Sequence, residues 1–142
     1  MEKILEQYGR VTVYMESNHP SPMYHVDGGV EPNPYGNLAV LLEDDNLEEV
    51  MYNGGAQCVK VAHRNHGMCR TNVWVDDQSG LEIAKNIAAF TSVPLGDGPG
   101  MVPIFDGRLP DGSRVNGTIP PVSPDGPTLT LLQFREDPLT MI

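Results

Sequence analysis

The segment RLPDGSR, residues 108–114, constrains the fold of this chain more than any other. Its centre, Pro110-Asp111-Gly112, predicts a tight turn, because proline presets its own φ, aspartate caps the turn locally and glycine adopts a positive φ. A three-residue loop joins two antiparallel strands and sets Arg108 opposite Arg114. We therefore predict a β-hairpin that carries two guanidinium groups side by side.

Two interpretations of this arginine pair remain open at the level of sequence. Directly opposed side chains lie about 5 Å apart at Cβ, and like charges at that distance repel each other. An anion such as phosphate could lie between the guanidinium groups, which bind phosphate in bidentate geometry. Alternatively, both heads turn into water or pair with Asp106 and Asp111, as exposed charges often do.

The pleat of the strands sorts the hairpin residues onto two faces. The polar face carries Asp106, Arg108, Arg114 and Asn116. The other face, which carries Gly107, Leu109 and Val115, points toward a core. Arg135 follows the last strand, and we regard Asn116 and Arg135 as accessory candidates for an anion site.

Length and composition limit the remaining choices. The chain has 142 residues, enough for one domain or one domain with an arm. Its 15 glycines and 13 prolines predict short strands joined by many turns. The net charge of -10 excludes nucleic acid and anionic lipid as general partners. We find no apolar signal core and no stretch long enough to span a bilayer, and so we expect a cytoplasmic protein.

A cluster of metal-binding residue types occurs at Cys58, His63, His66 and Cys69. A hairpin centred on residues 65–67 places the two cysteines on opposite faces of the sheet, which excludes a shared zinc ion or a disulfide. We therefore predict free thiols and no metal site.

Other segments predict further elements. Residues 1–8 are typical of a short helix or a frayed end. Asn46 is placed to cap one turn of helix ending near Val50. Ser79 and Glu82 form a capping box at the start of an amphipathic helix that reaches about residue 90.

The sequence 108–119 (RLPDGSRVNGTI), followed by 125–130 (DGPTLT), resembles the N-terminal domain of the type II/type IV secretion ATPases, which drive secretion and pilus or archaellum assembly. Residues 134–140 (FREDPLT) look like the connector into the motor domain in the archaeal branch. Residues 41–54 look like the acidic helix and Asn-Gly strand of this family. The likeness covers about residues 38–140.

The resemblance implies a fold and a domain organisation. It implies an α+β domain with an antiparallel, PAS-like sheet of about six strands and helices on one face. Residues 27–36, with three glycines and two prolines, are typical of a linker, so we expect residues 1–36 to form an N-terminal arm and residues 37–136 the PAS-like domain. Residues 137–142 begin the connector to a motor domain.

The resemblance also implies a function. In this family the domain sits on a RecA-like motor domain in a hexameric ring, and ATP binds between the two domains. Arg108 and Arg114 match the hairpin arginines that approach the phosphates. The implied partners are the motor domain, neighbouring subunits of the ring and other components of the secretion machinery. No nucleic acid or direct membrane insertion is expected, and the location would be cytoplasmic, peripheral to the membrane.

Two departures from the family limit these expectations. The family usually carries an Arg-Lys pair where this chain has Leu132-Gln133, so basic support from that strand is missing. The nucleotide-binding motifs of the motor domain are absent from these 142 residues. We therefore expect no catalytic residue, no cofactor and no ATP hydrolysis in this chain alone, with ATP and Mg²⁺ bound by the full-length parent.

Two alternatives belong to other classes of protein. One is a free-standing PAS-like binding or scaffold module without a nucleotide role, in which the arginines are surface residues. The other is a small metal-dependent enzyme, which would require stoichiometric zinc.

Overall fold

Nine strands and two α-helices are present in a computed structural model that describes residues 2–29, 31–55, 57–96, 98–120, 123 and 126–133. The strands are β1 (Glu2–Tyr8), β2 (Val11–Glu16), β3 (Met23–Val26), β4 (Leu47–Tyr52), β5 (Cys58–His63), β6 (Gly67–Trp74), β7 (Ile104–Arg108), β8 (Arg114–Thr118) and β9 (Thr128–Leu132). The helices are α1 (Ala39–Leu42), which a 3-10 turn (Gly36–Leu38) precedes, and α2 (Asp77–Phe90).

All nine strands belong to one sheet, in the spatial order β1-β2-β3-β6-β5-β4-β9-β8-β7. Neighbouring strands run antiparallel except β3 and β6, which pair in parallel. The expectation of about six antiparallel strands was therefore too low in number, and the sheet is mixed. The difference arises because the first three strands join the main sheet through β6. The division between an arm and a domain near residue 36 remains a prediction.

The N-terminal segment is a strand and not the expected helix or frayed end. β1 pairs with β2 from Glu2↔Glu16 to Tyr8↔Val11, and Gly9 takes a positive φ of 53° in the connecting turn. An isolated helix of this length is marginal in water, whereas a neighbouring strand supplies partners for the backbone. The pairing with β2 therefore decides the conformation.

The turn of helix expected between Asn46 and Val50 is also wrong, because residues 47–50 lie in strand β4 in the interior of the sheet. Leu47, Val50 and Tyr52 are buried on β4, which lies between β5 and β9. Because β4 is central, its backbone groups are satisfied by two neighbouring strands. The possible helix cap at Asn46 does not outweigh these backbone hydrogen bonds to two neighbouring strands.

Helix α2 starts earlier than its predicted capping box. The N-cap is Asp76, whose Oδ1 accepts a 2.7 Å hydrogen bond from the Ser79 backbone N–H. Ser79 therefore lies in the first turn and is not the cap. The apolar side of α2 contributes Ile83, Ala84 and Ile87 to the core.

The core lies between the helices and one face of the sheet. Its fully buried members include Val13, Tyr24, Leu41, Val50, Tyr52, Val61, Ile87, Val115, Leu129 and Leu131. The opposite face of the sheet, which we call the open face, carries mostly polar and charged side chains of β5 to β9. None of the described helices has the length and apolar character needed to cross a bilayer.

Candidate functional site on the open face

The predicted arginine hairpin is present with the expected register. β7 and β8 pair from Ile104↔Thr118 to Arg108↔Arg114. The turn is closed by a 2.8 Å hydrogen bond from the Leu109 N–H to the Ser113 carbonyl, and Gly112 has a φ of 94°. This conformation favours glycine, as the sequence predicted.

The alternation of faces is also as expected. Leu109 and Val115 are buried on the helix side of the sheet. Asp106, Arg108 and Arg114 are exposed on the open face. The hairpin therefore presents two guanidinium groups and a carboxylate together.

Asp106 neutralises one of the two arginines. The Arg114 guanidinium donates two hydrogen bonds to its carboxylate, at 3.3 Å from Nε and 2.9 Å from Nη2. Both side chains are about half exposed, at 52% and 54%. The hydrogen bonds from Arg114 lower the pKa of Asp106, and the same contact raises the pKa of Arg114. The pairing considered as the alternative to an anion is therefore present for Arg114.

Arg108 has a different environment. Its Nη1 donates a 3.2 Å hydrogen bond to the Gly112 carbonyl in the turn. The side chain is exposed, and no salt bridge is recorded for it among the described residues. Two cations and one carboxylate leave a local charge of about +1 on a protein whose net charge is -10.

The neighbouring strand β9 extends this surface. Asn116 pairs with Thr130, and Arg114 pairs with Leu132, which is 41% exposed. Gln133 instead donates from Nε2 to the carbonyls of Asp44 and Leu47. An apolar side chain thus lies beside Arg114. Arg135 lies outside the described residues.

The two cysteines lie on opposite faces of the sheet, as the sequence predicted. Cys58 is partly exposed and Cys69 is buried, and both are free thiols. The predicted faces of the β5–β6 hairpin are correct, although near the turn the register is shifted by two residues, so that His63 pairs with Gly67. A shift of two residues leaves every side chain on its predicted face.

Another set of possible metal ligands was not found from the sequence. Glu6, His63 and His66 place one ligand atom each within 4.8 Å of one another. Their donor types suit a transition metal. However, His63 Nδ1 accepts a hydrogen bond from the Asn65 N–H, and Nε2 lies 2.9 Å from the Tyr8 hydroxyl. With both ring nitrogens engaged, His63 is held as part of a hydrogen-bond network.

This network, which we call the Asp44 network, links β1, β3 and β5. The hydroxyls of Tyr8 and Tyr24 both donate to Asp44 Oδ2 at 2.6 Å. Burial, followed by the hydrogen bond to Asp44, raises the pKa of both tyrosines. His66 adds a 2.8 Å contact to Glu6, which lowers the Glu6 pKa. The sequence could not reveal this cluster because its members meet only once β1 joins the sheet.

Comparison with known proteins identifies relatives without an assigned role. No protein-family model matches the sequence. Three uncharacterized proteins of Methanocaldococcus jannaschii are similar: MJ0781 is 45% identical over 107 residues, MJ0900 is 36% identical over 108 and MJ1288 is 34% identical over 88. These matches cover 75%, 75% and 60% of this chain. The chain spans only 14%, 19% and 33% of the lengths of those relatives.

A similar fold occurs among solved structures. The VirB11 ATPase of the Brucella suis type IV secretion system, crystallised in complex with sulphate, aligns with a TM-score of 0.56 at 20% identity. The alignment covers 70% of this chain and 29% of the VirB11 chain. The similarity establishes a common fold for most of the chain.

Proposed function

We propose that this chain is the non-catalytic N-terminal domain of a secretion, pilus or archaellum assembly ATPase. In this proposal Arg108 and Arg114 contribute to an ATP site that a RecA-like motor domain completes. The observation that carries the proposal is their arrangement: Arg108 and Arg114 pair across the hairpin, and both side chains are exposed on the open face. The fold shared with a secretion ATPase supports it.

The electrostatics give the two arginines different roles. Among the described residues, the Arg108 guanidinium donates to the neutral Gly112 carbonyl, so Arg108 is the first group able to bind a phosphate oxygen. Arg114 must exchange Asp106 for phosphate. Both partners of that pair are half exposed, so water screens their attraction and the exchange costs little. Asn116 and Arg135 remain accessory candidates.

The remaining functional expectations belong to the same proposal. The parent would bind ATP and Mg²⁺ and assemble as a hexameric ring in the cytoplasm, where it would contact neighbouring subunits and other secretion components. The relatives support a longer parent, because this chain spans at most a third of them. Their origin in an archaeon agrees with an archaeal-like branch.

The test is steady-state ATP hydrolysis by the full-length protein that contains this domain. We expect Arg108→Ala and Arg114→Ala each to lower kcat by about 100-fold or more, as for arginines that stabilise transferring phosphate. Arg114→Lys keeps the charge but loses the bidentate geometry, so it should recover only part of the rate. Lys85→Ala, which removes an exposed cation on α2, is the matched control.

A free-standing scaffold module without a nucleotide role is the second candidate. The Arg114–Asp106 pair favours it, because that pair satisfies one arginine within the chain. Unchanged turnover in both alanine variants would refute the arginine role and leave this candidate. A reading frame without a Gly-Lys-Ser/Thr loop beyond codon 142 would argue the same way.

A further inference from the structure

A cavity of about 620 Å³ opens on the helix side of the sheet, directly behind the arginine hairpin. Five parts of the chain line it: Arg10 in the turn after β1, the loop at 29 and 31–35, helix α1 with the following Glu43, the turn at 109–113, and β9 with Gln133. Its volume lies in the range of small-molecule sites, about 300–1,000 Å³. The hydrogen bonds that the Arg108 and Arg114 side chains form on the open face, to Gly112 and Asp106, involve no residue that lines this cavity.

The inner wall of the cavity is apolar. Leu131 is fully buried and Leu109 is 7% exposed, and both line it. Tyr35 and Leu42 add partly buried surface packed against the core. An apolar group bound here would therefore be removed from water, which is favourable by roughly 25 cal/mol per Å².

The rim of the cavity is acidic. Glu31, Glu43 and Asp111 line it, together with one cation, Arg10. The Arg10 guanidinium lies 3.1 Å from Glu43 and also donates to the Gly29 carbonyl, so these two charges offset each other. Glu31 and Asp111 then leave an excess of about two negative charges.

The field of this rim reaches the inner wall. Burial, and after it the negative charge of Asp111, raises the pKa of Tyr35. Asp111 is itself fixed by the turn, because its Oδ1 accepts a 2.9 Å hydrogen bond from the Ser113 N–H. A carboxylate that is held in place beside an apolar wall favours a ligand that combines a cation with an apolar body.

We propose that this cavity binds an organic cation with an apolar body, as an alkyl or aryl ammonium or guanidinium group. Such a group occurs in small amines and in a lysine or arginine beside an apolar residue of a partner protein. The negative charge of the rim disfavours nucleotides and other anions. The site is therefore separate from the arginines, and it does not depend on the nucleotide role proposed for them.

The two sites share one turn. Leu109 and Ser113 face the cavity, whereas Arg108 and Arg114 alternate to the open face. A ligand in the cavity would contact the same turn from behind.

The first test compares probes that differ in charge but share an apolar body. 4-Phenylbutylammonium and 4-phenylbutyrate are titrated into the isotope-labelled chain, and amide shifts are followed by NMR. We expect saturable shifts at the cavity residues and about tenfold tighter binding of the cation, the size expected for one or two half-exposed charges. Equal affinity for the two probes, or no saturable shift below about 20 mM, the weak limit for such small ligands, would overturn the proposal.

A peptide arm separates the two sources of the ligand. N-acetyl-Arg-Phe-amide carries the same chemistry on a backbone. Tighter binding of this peptide than of the amine assigns the site to a partner protein, and the reverse assigns it to a small molecule. Amide shifts that either probe causes mainly at residues outside the cavity would contradict the proposed site.

Charge-neutral variants test which carboxylates cause the cavity to prefer a cation over an anion. Glu31→Gln and Asp111→Asn should each weaken binding of the cation by about fivefold and leave the anion unchanged or slightly improved. Asp45→Asn removes an exposed carboxylate outside the cavity and should change neither affinity. Because Glu31 takes no part in the turn contacts described above, it keeps the test valid if Asp111→Asn disturbs the hairpin. Selectivity that survives both variants would contradict the proposal.

Discussion

The two ends of the sheet use polar residues in opposite ways. At the β1 end, the Asp44 network is largely removed from water: two tyrosine hydroxyls share one carboxylate oxygen, Tyr24 and His63 are buried, and Tyr8 and Asp44 are half-buried. At the β7–β8 end, Arg114 and Asp106 are half exposed. A buried polar group without its partner costs far more than an exposed one, because water replaces a lost partner only at the surface. The first end therefore stabilises the fold, and the second can exchange its partners for a ligand.

Removing Asp44 should have the largest effect on stability. Asp44→Ala leaves the hydroxyls of Tyr8 and Tyr24 without their acceptor, so we expect the free energy of unfolding to fall by about 3 kcal/mol. Urea denaturation followed by circular dichroism measures it. Asp45→Ala, one residue further along and exposed, should stay within about 0.5 kcal/mol. Similar losses in the two variants would mean that the Asp44 network does not stabilise the fold in solution.

A second variant tests whether the β7–β8 end is loosely built or only exposed on one face. A Cβ on Gly117 would lie 2.7 Å from the Phe105 ring and 2.8 Å from the Thr128 carbonyl oxygen. We expect Gly117→Ala to cost about 2 kcal/mol, because the strands must separate to accept the methyl group. Arg114→Ala on the other face should cost much less, because Arg114 and its partner Asp106 are both half exposed to water. If Gly117→Ala is neutral in thermal unfolding, the helix side of this hairpin is not tightly packed.

A single hydroxyl at the β1 end should have a smaller effect. Tyr8→Phe removes the hydrogen bond to Asp44 and the contact with His63 but keeps the ring. Because the Tyr24 hydroxyl still donates to Asp44, we expect the free energy of unfolding, measured by urea denaturation, to fall by about 1 kcal/mol. A loss as large as that of Asp44→Ala would show that Tyr8 alone holds the network together.

The smallest effect concerns the pH dependence of Asp106. Its pKa is lowered in the folded state, chiefly by the hydrogen bonds from Arg114. Stability from this pair is therefore fully present above the unfolded-state pKa of an aspartate and is lost as the pH falls through the lower, folded-state pKa. Carboxyl ¹³C NMR should find the Asp106 midpoint below the usual aspartate range. Arg114→Ala should raise it, and an unchanged midpoint would refute the pair.

Local chemistry in the sequence determined the hairpin and its polar face. Pro110-Asp111-Gly112 specifies a turn within itself, and the pleat then fixes which neighbours share a face. The positions of Arg108, Arg114 and Leu109 follow without reference to the rest of the molecule. What binds between the two arginines remains a prediction.

Long-range pairing decided the rest. Residues 2–8 and 47–50 form strands because neighbouring strands supply backbone hydrogen bonds, and the local sequence does not predict those partners. The Asp44 network depends on β1 reaching β5, across many tens of residues of sequence. The cavity behind the hairpin likewise exists only where a loop, a helix and a turn meet. Sequence spacing determines which side chains share a face of one element, whereas only the packing of elements determines which faces meet.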